Sequence, residues 1–483
     1  MQRKFITNLA FLLLLNLLVK PFWLLGVDRA VQNEVGAEIY GQYFALLNFS
    51  FLLNILLDLG ITNFNNRNIA QNRQLLNKHF SGIITLRLLL GVGFVMVSMV
   101  AGLLIGYGIE EFRILWILLA NQFLASLILY FRSNISGLLL FRTDSIISVL
   151  DRVIMIGICS VLLWGNVTSQ TFRIEWFIYA QLVAYLFTAM VSFTIVATRA
   201  GLKKISWDRL FFIMILKKSY PFALLILLMS FYNRIDSVML ERLLEDGKTQ
   251  AGIYAQAFRL LEASNMIAYL FAGILLPMFA HMLKKNEKVD DLLRLSFSMI
   301  GTLSVSAGVI SIFYGNEIMT LLYTEHTETS SDVFRLLMVT FFAISTTYIY
   351  GTLLTANNNL KQLNIMAACA MAMNIVLNLI LIPRYSVIGA AIASMTTQYA
   401  TALTQVILGH RILHIIPKPA VILKFVIFTM LSVLACYFTD QITDSFALKF
   451  FISSILMFVS ALAIGLINVR EIIRIVRAKT ANY

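Results

Sequence analysis

Apolar runs of about twenty residues recur along the whole chain, and the polar stretches between them are short. A run of that length crosses a hydrocarbon core of roughly 30 Å as a helix. Lipid offers the backbone no hydrogen-bond partner, so each run must satisfy its amides internally, and a helix does this. The pattern predicts helices near 5–25, 41–62, 80–105, 112–131, 144–164, 175–198, 219–240, 251–280, 292–315, 333–355, 361–382, 386–408, 419–439 and 446–468. The chain is expected to be an all-α membrane protein of about fourteen transmembrane helices.

Composition supports this class. Only 13% of the 483 residues are charged and 59% are hydrophobic, whereas a soluble domain carries roughly 25% charged residues. The first run, Phe5 to Leu25, follows Arg3 and Lys4 but is longer than a signal core and lacks a small-residue cleavage site, so it reads as a retained helix. Cys159, Cys369 and Cys436 all lie in apolar segments, so neither a disulfide nor a metal cluster is expected.

Charge sets the orientation, because cytoplasmic loops are enriched in lysine and arginine. With the N-terminus inside, the inside segments gather Arg199, Lys203, Lys204, Arg209, Lys217 and Lys218 in one connection. Lys284, Lys285, Lys288 and Arg294 gather in another, and Arg470, Arg474, Arg477 and Lys479 in the C-terminal tail. Outside segments hold only scattered cations: Arg29, Arg113, Arg173, Arg242, Lys248, Arg384 and Lys449. Both termini are therefore placed in the cytoplasm. The connection from Arg199 to Lys218 alternates its basic residues with Ile205, Trp207, Leu210, Phe211 and Phe212, a pattern suited to an interfacial helix or to an ordinary basic loop.

An internal repeat divides the chain. Shifted by 214 residues, Ala37–Leu47 falls on Ala251–Leu261 with seven of eleven positions identical, Tyr40/Tyr254 and Gln42/Gln256 among them. Both copies open the second helix of a six-helix half that starts on the inside, so the repeat is parallel. The expected organisation is a first bundle over 1–198, a cytoplasmic interfacial linker over 199–218, a second bundle over 219–410, and a helix pair with a basic tail over 411–483.

Several motifs resemble those of polysaccharide flippases of the Wzx (O-antigen) type, in the superfamily that also holds MATE drug exporters and lipid II flippases. Tyr40-Gly41-Gln42-Tyr43 is similar to that family's entry into helix 2, and Asp58-Leu59-Gly60-Ile61 with Arg67 to the end of that helix. Asn374–Pro383 followed by Gly389–Ser394 resembles its helix 11–12 hairpin. The resemblance implies a bacterial inner-membrane carrier that works by alternating access on an undecaprenyl-diphosphate-linked oligosaccharide, such as a lipopolysaccharide precursor. It implies no enzyme activity, no cofactor and no nucleic-acid partner. A monomer among membrane lipids, driven by H+ or Na+, is the expectation.

Ionised groups inside the membrane usually face a cavity or a partner. Six cations lie within predicted helices: Lys20, Arg87, Arg152, Arg234, Arg259 and Arg335. Lys20 and Arg234 are related by the same 214-residue shift, and Arg259 enters helix 8 to a similar depth. These three are the candidate substrate-binding residues, because an arginine fork and a lysine ammonium both suit phosphate. The competing reading is snorkelling to headgroups, which is preferred for Arg87, Arg152 and Arg335 near helix ends. Asp236 and Glu262 are the candidate coupling residues; Glu262 lies at i+3 from Arg259 and could equally be its surface partner. Asp236, two residues from Arg234, must serve a different contact. Asp58 reads as a helix-end residue, and Asp151 as adjoining but not facing Arg152. His410 and His414 have no acidic or cysteine companion, so no metal site is assigned.

Two other functions compete. A MATE-like exporter of organic cations needs acids free of nearby cations, which does not match the helix 1, 7 and 8 cations, while a lipid II-type flippase shares the fold. A glycosyltransferase or ligase needs a large outside loop or an acidic catalytic cluster, and the predicted outside connections are short. Reporter fusions at Glu245 and Glu328 should report the outer side; a cytoplasmic signal at either would overturn the helix count.

Overall fold

The computed structural model describes residues 14–16, 18–62, 65, 69, 74–165, 167, 169–200, 209–415 and 419–467. Arg3, Lys4, Arg67, the linker residues Lys203, Lys204, Ile205 and Trp207, and the tail cations Arg470 to Lys479 lie outside the described residues. The described residues are helical throughout, joined by short turns and without a strand.

Helix α1 is described over 14–16 and 18–35 and includes a π-helical turn at Trp23–Asp28. Gly36 (φ 81°, ψ 166°) then breaks the run, in a conformation open to glycine, and α2 covers 37–52. There follow α3 (Gln74–Ile105), α4 (Ile109–Gly137), α5 (Phe141–Trp164), α6 (Ile174–Ala200), α7 (Arg209–Leu243), α8 (Gly247–Lys284), α9 (Asp290–Leu322) and α10 (Thr327–Ala356). The 54-residue element Leu360–Leu413 is divided at Ser386 (φ 50°, ψ −132°) into α11 (360–385) and α12 (387–413). Then come α13 (Pro419–Ile442) and α14 (Phe446–Ile464). Eleven helices among the described residues are long and apolar enough to cross a bilayer, the 54-residue element counting as one, which is compatible with the fourteen predicted.

Three boundaries differ from the sequence pattern. The stretch after Leu25, expected as an outside loop, continues as helix because its polar residues are buried and bonded: Gln32 Nε2 donates to the Gly252 carbonyl at 2.9 Å, and Asp28 accepts from Tyr40 Oη at 2.6 Å. Helix α2 stops at Leu52 and tightens into a 3₁₀ turn at Asn54–Leu57, ten residues short of the pattern's end at 62. Beyond it the Asp58 carboxylate accepts from the Thr62 backbone amide at 3.1 Å, a side-chain competitor for helical bonding. Helix α7 already begins at Arg209, so Leu210 to Lys218 belong to the same helix as the residues that follow.

The chain forms two compact units, Met1–Arg259 with Ala367–Ala390, and Leu260–Met366 with Ala391–Tyr483. In the first, the two copies of the repeat pack on each other. A Cβ on Gly41 would lie 1.9 Å from the Lys248 carbonyl oxygen, and one on Gly252 would lie 2.0 Å from that of Ala37. Small residues thus let the backbones of α2 and α8 meet, as in other lipid-embedded bundles where packing replaces the hydrophobic drive. Farther along, Phe44 meets Phe258 edge-on at 5.8 Å. These two are repeat mates, so they sit at the repeat axis. Contacts advance together along both helices, which makes α2 and α8 parallel, as a parallel repeat requires. In the second unit α13 packs on α9, where Gly301 leaves room for the Phe425 ring, and Tyr314 Oη bonds Thr439 at 2.8 Å and Ser453 at 3.0 Å.

A polar knot holds α3 and α4 to the end of α2. Arg87, 1% exposed, is ion-paired with Asp58, donates to Ser126 Oγ at 2.9 Å, and lies over the Tyr130 ring at 4.8 Å. Arg87 therefore does not snorkel, and Asp58, partly exposed, is its ion-pair partner rather than a plain helix end. Asp58→Ala would strand the arginine and should cost about 3–5 kcal/mol, while adding Arg87→Leu should recover part of that loss. Thermal unfolding in detergent, with the yield of inserted protein, checks both; a wild-type melting point for Asp58→Ala would refute the pairing's importance.

Candidate functional site

Each repeat carries a buried carboxylate on its first helix, held by the tyrosine that the repeat conserves. Tyr40 Oη donates to Asp28 at 2.6 Å, and Tyr254 Oη donates to Asp236 at 2.9 Å. Both carboxylates are at most 2% exposed. A charge so placed must be paired or fully hydrogen-bonded, and the repeats solve this differently. Arg259 reaches Asp28 at 2.9 Å and Tyr40 Oη at 3.1 Å, with its guanidinium 5.0 Å from the Phe44 ring. Asp236 instead accepts from Asn374 Nδ2 at 3.1 Å and Asn378 Nδ2 at 2.7 Å, both on α11. Asp28 escaped the sequence reading because it fell in a predicted outside loop, and its spacing from Tyr40 (12 residues) does not match that of Asp236 from Tyr254 (18 residues), so the repeat gave no signal for it. The asparagines were quoted for their motif and not for this role.

The structure locates the other predicted residues separately. Arg234 donates to Asn48 Oδ1 at 2.7 Å and lies over the Phe51 ring at 4.4 Å, so it sits one turn along α2 from Arg259. As expected from their spacing, Arg234 and Asp236 make different contacts. Lys20 is half-buried on α1 and makes no ion pair or hydrogen bond among the described residues. Its charge is felt by Arg152 and Asp151. Glu262 lies on α8 in the second unit.

Two readings of the α5 charges are corrected. Arg152, assigned to snorkelling, lies inside the first bundle with its guanidinium 5.5 Å from the Trp23 ring and 5.8 Å from the Tyr185 ring. Asp151, thought not to face it, bends round to 3.7 Å from Arg152 Nε. Arg335, the remaining snorkelling assignment, pairs with Asp332 at 2.9 Å one turn away. Below the α5 charges runs an aromatic wall: Trp23 stacks on Phe177 at 5.6 Å and 7°, Phe177 meets Tyr43 edge-on at 5.5 Å, and Tyr43 accepts from Gln181 Nε2 at 2.9 Å.

The predicted outer end of this unit is clasped. Arg242 of α7 forks onto Glu241 at 2.8 and 2.9 Å, donates to the Gly106 carbonyl at 3.3 Å, and stacks over Tyr107 at 4.2 Å. Glu111 of α4 stands 3.9 Å from Arg242 and 3.7 Å from Lys248 of α8. The α3–α4 and α7–α8 hairpins are thereby joined across the repeat.

A bundle of helices long and apolar enough to cross a membrane, with a parallel repeat and buried charges at the repeat axis, defines a polytopic all-helical membrane protein. The polysaccharide biosynthesis protein family matches residues 5–283, and the chain belongs to that family. Its fold is that of a solved structure of the lipid II flippase MurJ in the inward closed conformation, at a TM-score of 0.73 and 16% identity over 95% of this chain and 100% of that one. An inward-facing multidrug resistance MATE family transporter of the MOP superfamily is also similar, at a TM-score of 0.64 and 14% identity over 81% of this chain and 94% of that one. No curated protein matches the sequence.

Removing Arg259 tests whether it is scaffold as well as site. Arg259→Ala removes the ion pair from buried Asp28 and should lower stability by about 3–5 kcal/mol, with Asp28→Asn restoring much of it in the same chain. Melting temperature and inserted yield are the measurements. An Arg259→Ala protein as stable as wild type would show that the ion pair carries no structural load.

Proposed function

We propose that this chain is a flippase that carries a lipid-linked oligosaccharide of the undecaprenyl-diphosphate type from the cytoplasmic to the outer face of a bacterial inner membrane, by alternating access. The observation that carries the reading is the half-buried Lys20 beside Arg152, with no ion pair to cancel its charge among the described residues. An ammonium at membrane depth is costly to leave uncompensated, and an anionic cargo supplies the missing charge. Lys20 and Arg234 face that anion in this reading, and Arg259 adds its field while held by Asp28. The family match supports a role in polysaccharide assembly, and the MurJ-like fold supports a lipid-linked cargo.

The MATE-like alternative, export of small organic cations, is disfavoured by the same excess of cations. Coupling is assigned to Asp236 and Glu262, which would exchange a proton during the cycle. Asp236 is suited to this because it is buried and accepts from the Tyr254 hydroxyl and the side-chain amides of Asn374 and Asn378.

Reconstitution into liposomes loaded with a lipid-linked oligosaccharide tests the reading. The protein should expose the glycan to an impermeant glycosidase with time, and Asp236→Asn with Glu262→Gln should flatten the dependence of that rate on pH between 6 and 8. Ethidium efflux without any glycan exposure would favour the exporter and end the flippase reading. Wild-type pH dependence in both carboxylate variants would end the coupling assignment alone.

A further inference from the structure

Contacts between the two repeats are of two kinds, and the difference lies in what each charged group would keep if they parted. Arg259 has its ion-pair partner Asp28 on the other repeat, and both are buried. Separation there would take each from its opposite charge inside the bundle, at high cost. The clasp at the predicted outer end is built otherwise. Arg242 makes its shortest contacts within its own helix, to Glu241 Oε2 at 2.9 Å and Oε1 at 2.8 Å. Glu111 accepts from the Gly108 amide at the start of its own helix at 3.0 Å, as a cap. What crosses the gap is longer. Arg242 reaches the Gly106 carbonyl at 3.3 Å and the Tyr107 ring at 4.2 Å, and Glu111 stands 3.9 Å from Arg242 and 3.7 Å from Lys248.

Parting the two hairpins would therefore break only the crossing contacts. Arg242 would keep Glu241, and Glu111 would keep its amide. Lys248, already 39% exposed, would return to water. The α7–α8 turn is tight, since a Cβ on Gly247 would lie 2.5 Å from the carbonyl oxygens of Leu240 and Glu241, so the charges on it move together. Water has room at the contact. A cavity of about 150 Å³ lies there, lined by Glu38, Glu245 and Asp246 besides the four charged residues of the clasp; one water needs about 10–15 Å³. Five acids and two cations line that cavity, so closure depends on Arg242 and Lys248, without which the facing acids repel.

We propose that this clasp is a reversible outer gate, in which Arg242 and Lys248 release Glu111, Gly106 and Tyr107 as the protein opens outward. Glu241 and the Gly108 amide hold the charges in the open state. The purpose of the opening, discharge of cargo, rests on the flippase reading; the opening itself does not.

The gap is read by dipolar coupling between nitroxide spin labels at Ile109→Cys and Leu243→Cys, with the chain in lipid nanodiscs and its three native cysteines replaced by alanine. Ile109 is 90% exposed and Leu243 39%, and neither belongs to the clasp. The ratio of uncoupled to coupled labels should rise about threefold or more in Lys248→Gln and in Glu111→Gln. It should rise further in Lys248→Glu, where like charges face each other. Glutamine at 111 can still accept from the Gly108 amide, so the cap survives, and all three variants should melt near the wild-type temperature. Asp58→Ala, which breaks a scaffold pair elsewhere, should melt lower with the coupling unchanged. Wild-type coupling in all three clasp variants would make the clasp fixed scaffold and overturn the gate. Equal uncoupling in Asp58→Ala would be general loosening and would overturn it too. Uncoupling confined to the clasp variants, in a chain that exposes no glycan, would keep the gate and remove the flippase reading instead.

Discussion

The ion pair between Arg259 and Asp28 ties together the two features on which the first unit depends, the repeat axis and the burial of charge. Arg259 comes from the second repeat and Asp28 from the first, and they meet where Phe44 touches its repeat mate Phe258. Attraction at low dielectric is strong only when the geometry is good. That geometry follows from the close approach of α2 and α8 at Gly41 and Gly252. A side chain at either glycine would push the helices apart just where the ion pair, the Tyr40 bond and the Gln32 bond to Gly252 all need them together. Small residues and opposite charges therefore act on one contact.

The same constraint separates the cations by what answers them. Arg87 has Asp58, Arg242 has Glu241 and Glu111, and Arg259 has Asp28. Apart from the adjacent Arg242 and Glu241 of α7, these pairs join different segments of the chain and read as part of the scaffold. Arg152 has the Trp23 and Tyr185 rings and Asp151 at 3.7 Å, and Lys20 has both Arg152 and Asp151 as charged neighbours. Sequence spacing treats all six intramembrane cations alike; what distinguishes them is the identity of the group across the gap.

Helix positions were legible because apolar run length is a local property. Most predicted helices were found, longer by a turn or more at their ends, and Asn357-Asn358-Asn359 forms the turn between α10 and α11, with Asn358 at φ 63°. The repeat was legible through Tyr40 and Tyr254, and those tyrosines bond the two buried carboxylates. Hydropathy failed where polar residues are buried with partners. Asp28 and Gln32 look like loop residues until Arg259 and Gly252 are brought to them, and the end of α2 looks apolar until Asp58 turns to Thr62 and Arg87. Helix spacing likewise pointed from Arg259 to Glu262 because i+3 neighbours can be counted, while Asp28 is adjacent only after α1 and α8 have packed. Arg152 was misjudged for a related reason: nearness to a helix end in sequence says nothing about which neighbour covers that end.

A carrier must hold its cargo's charge without holding it permanently, and the two kinds of cation meet these demands separately. Paired arginines fix helices to one another whether or not cargo is present. An unanswered cation beside another is destabilised in the empty protein, so an anion that enters relieves a strain instead of competing with an internal carboxylate. Had Lys20 faced a close aspartate, the cargo would have had to break a buried ion pair to bind, at a cost of about 3–5 kcal/mol. Lys20 makes no ion pair or hydrogen bond among the described residues, so nothing of that kind has to be broken there.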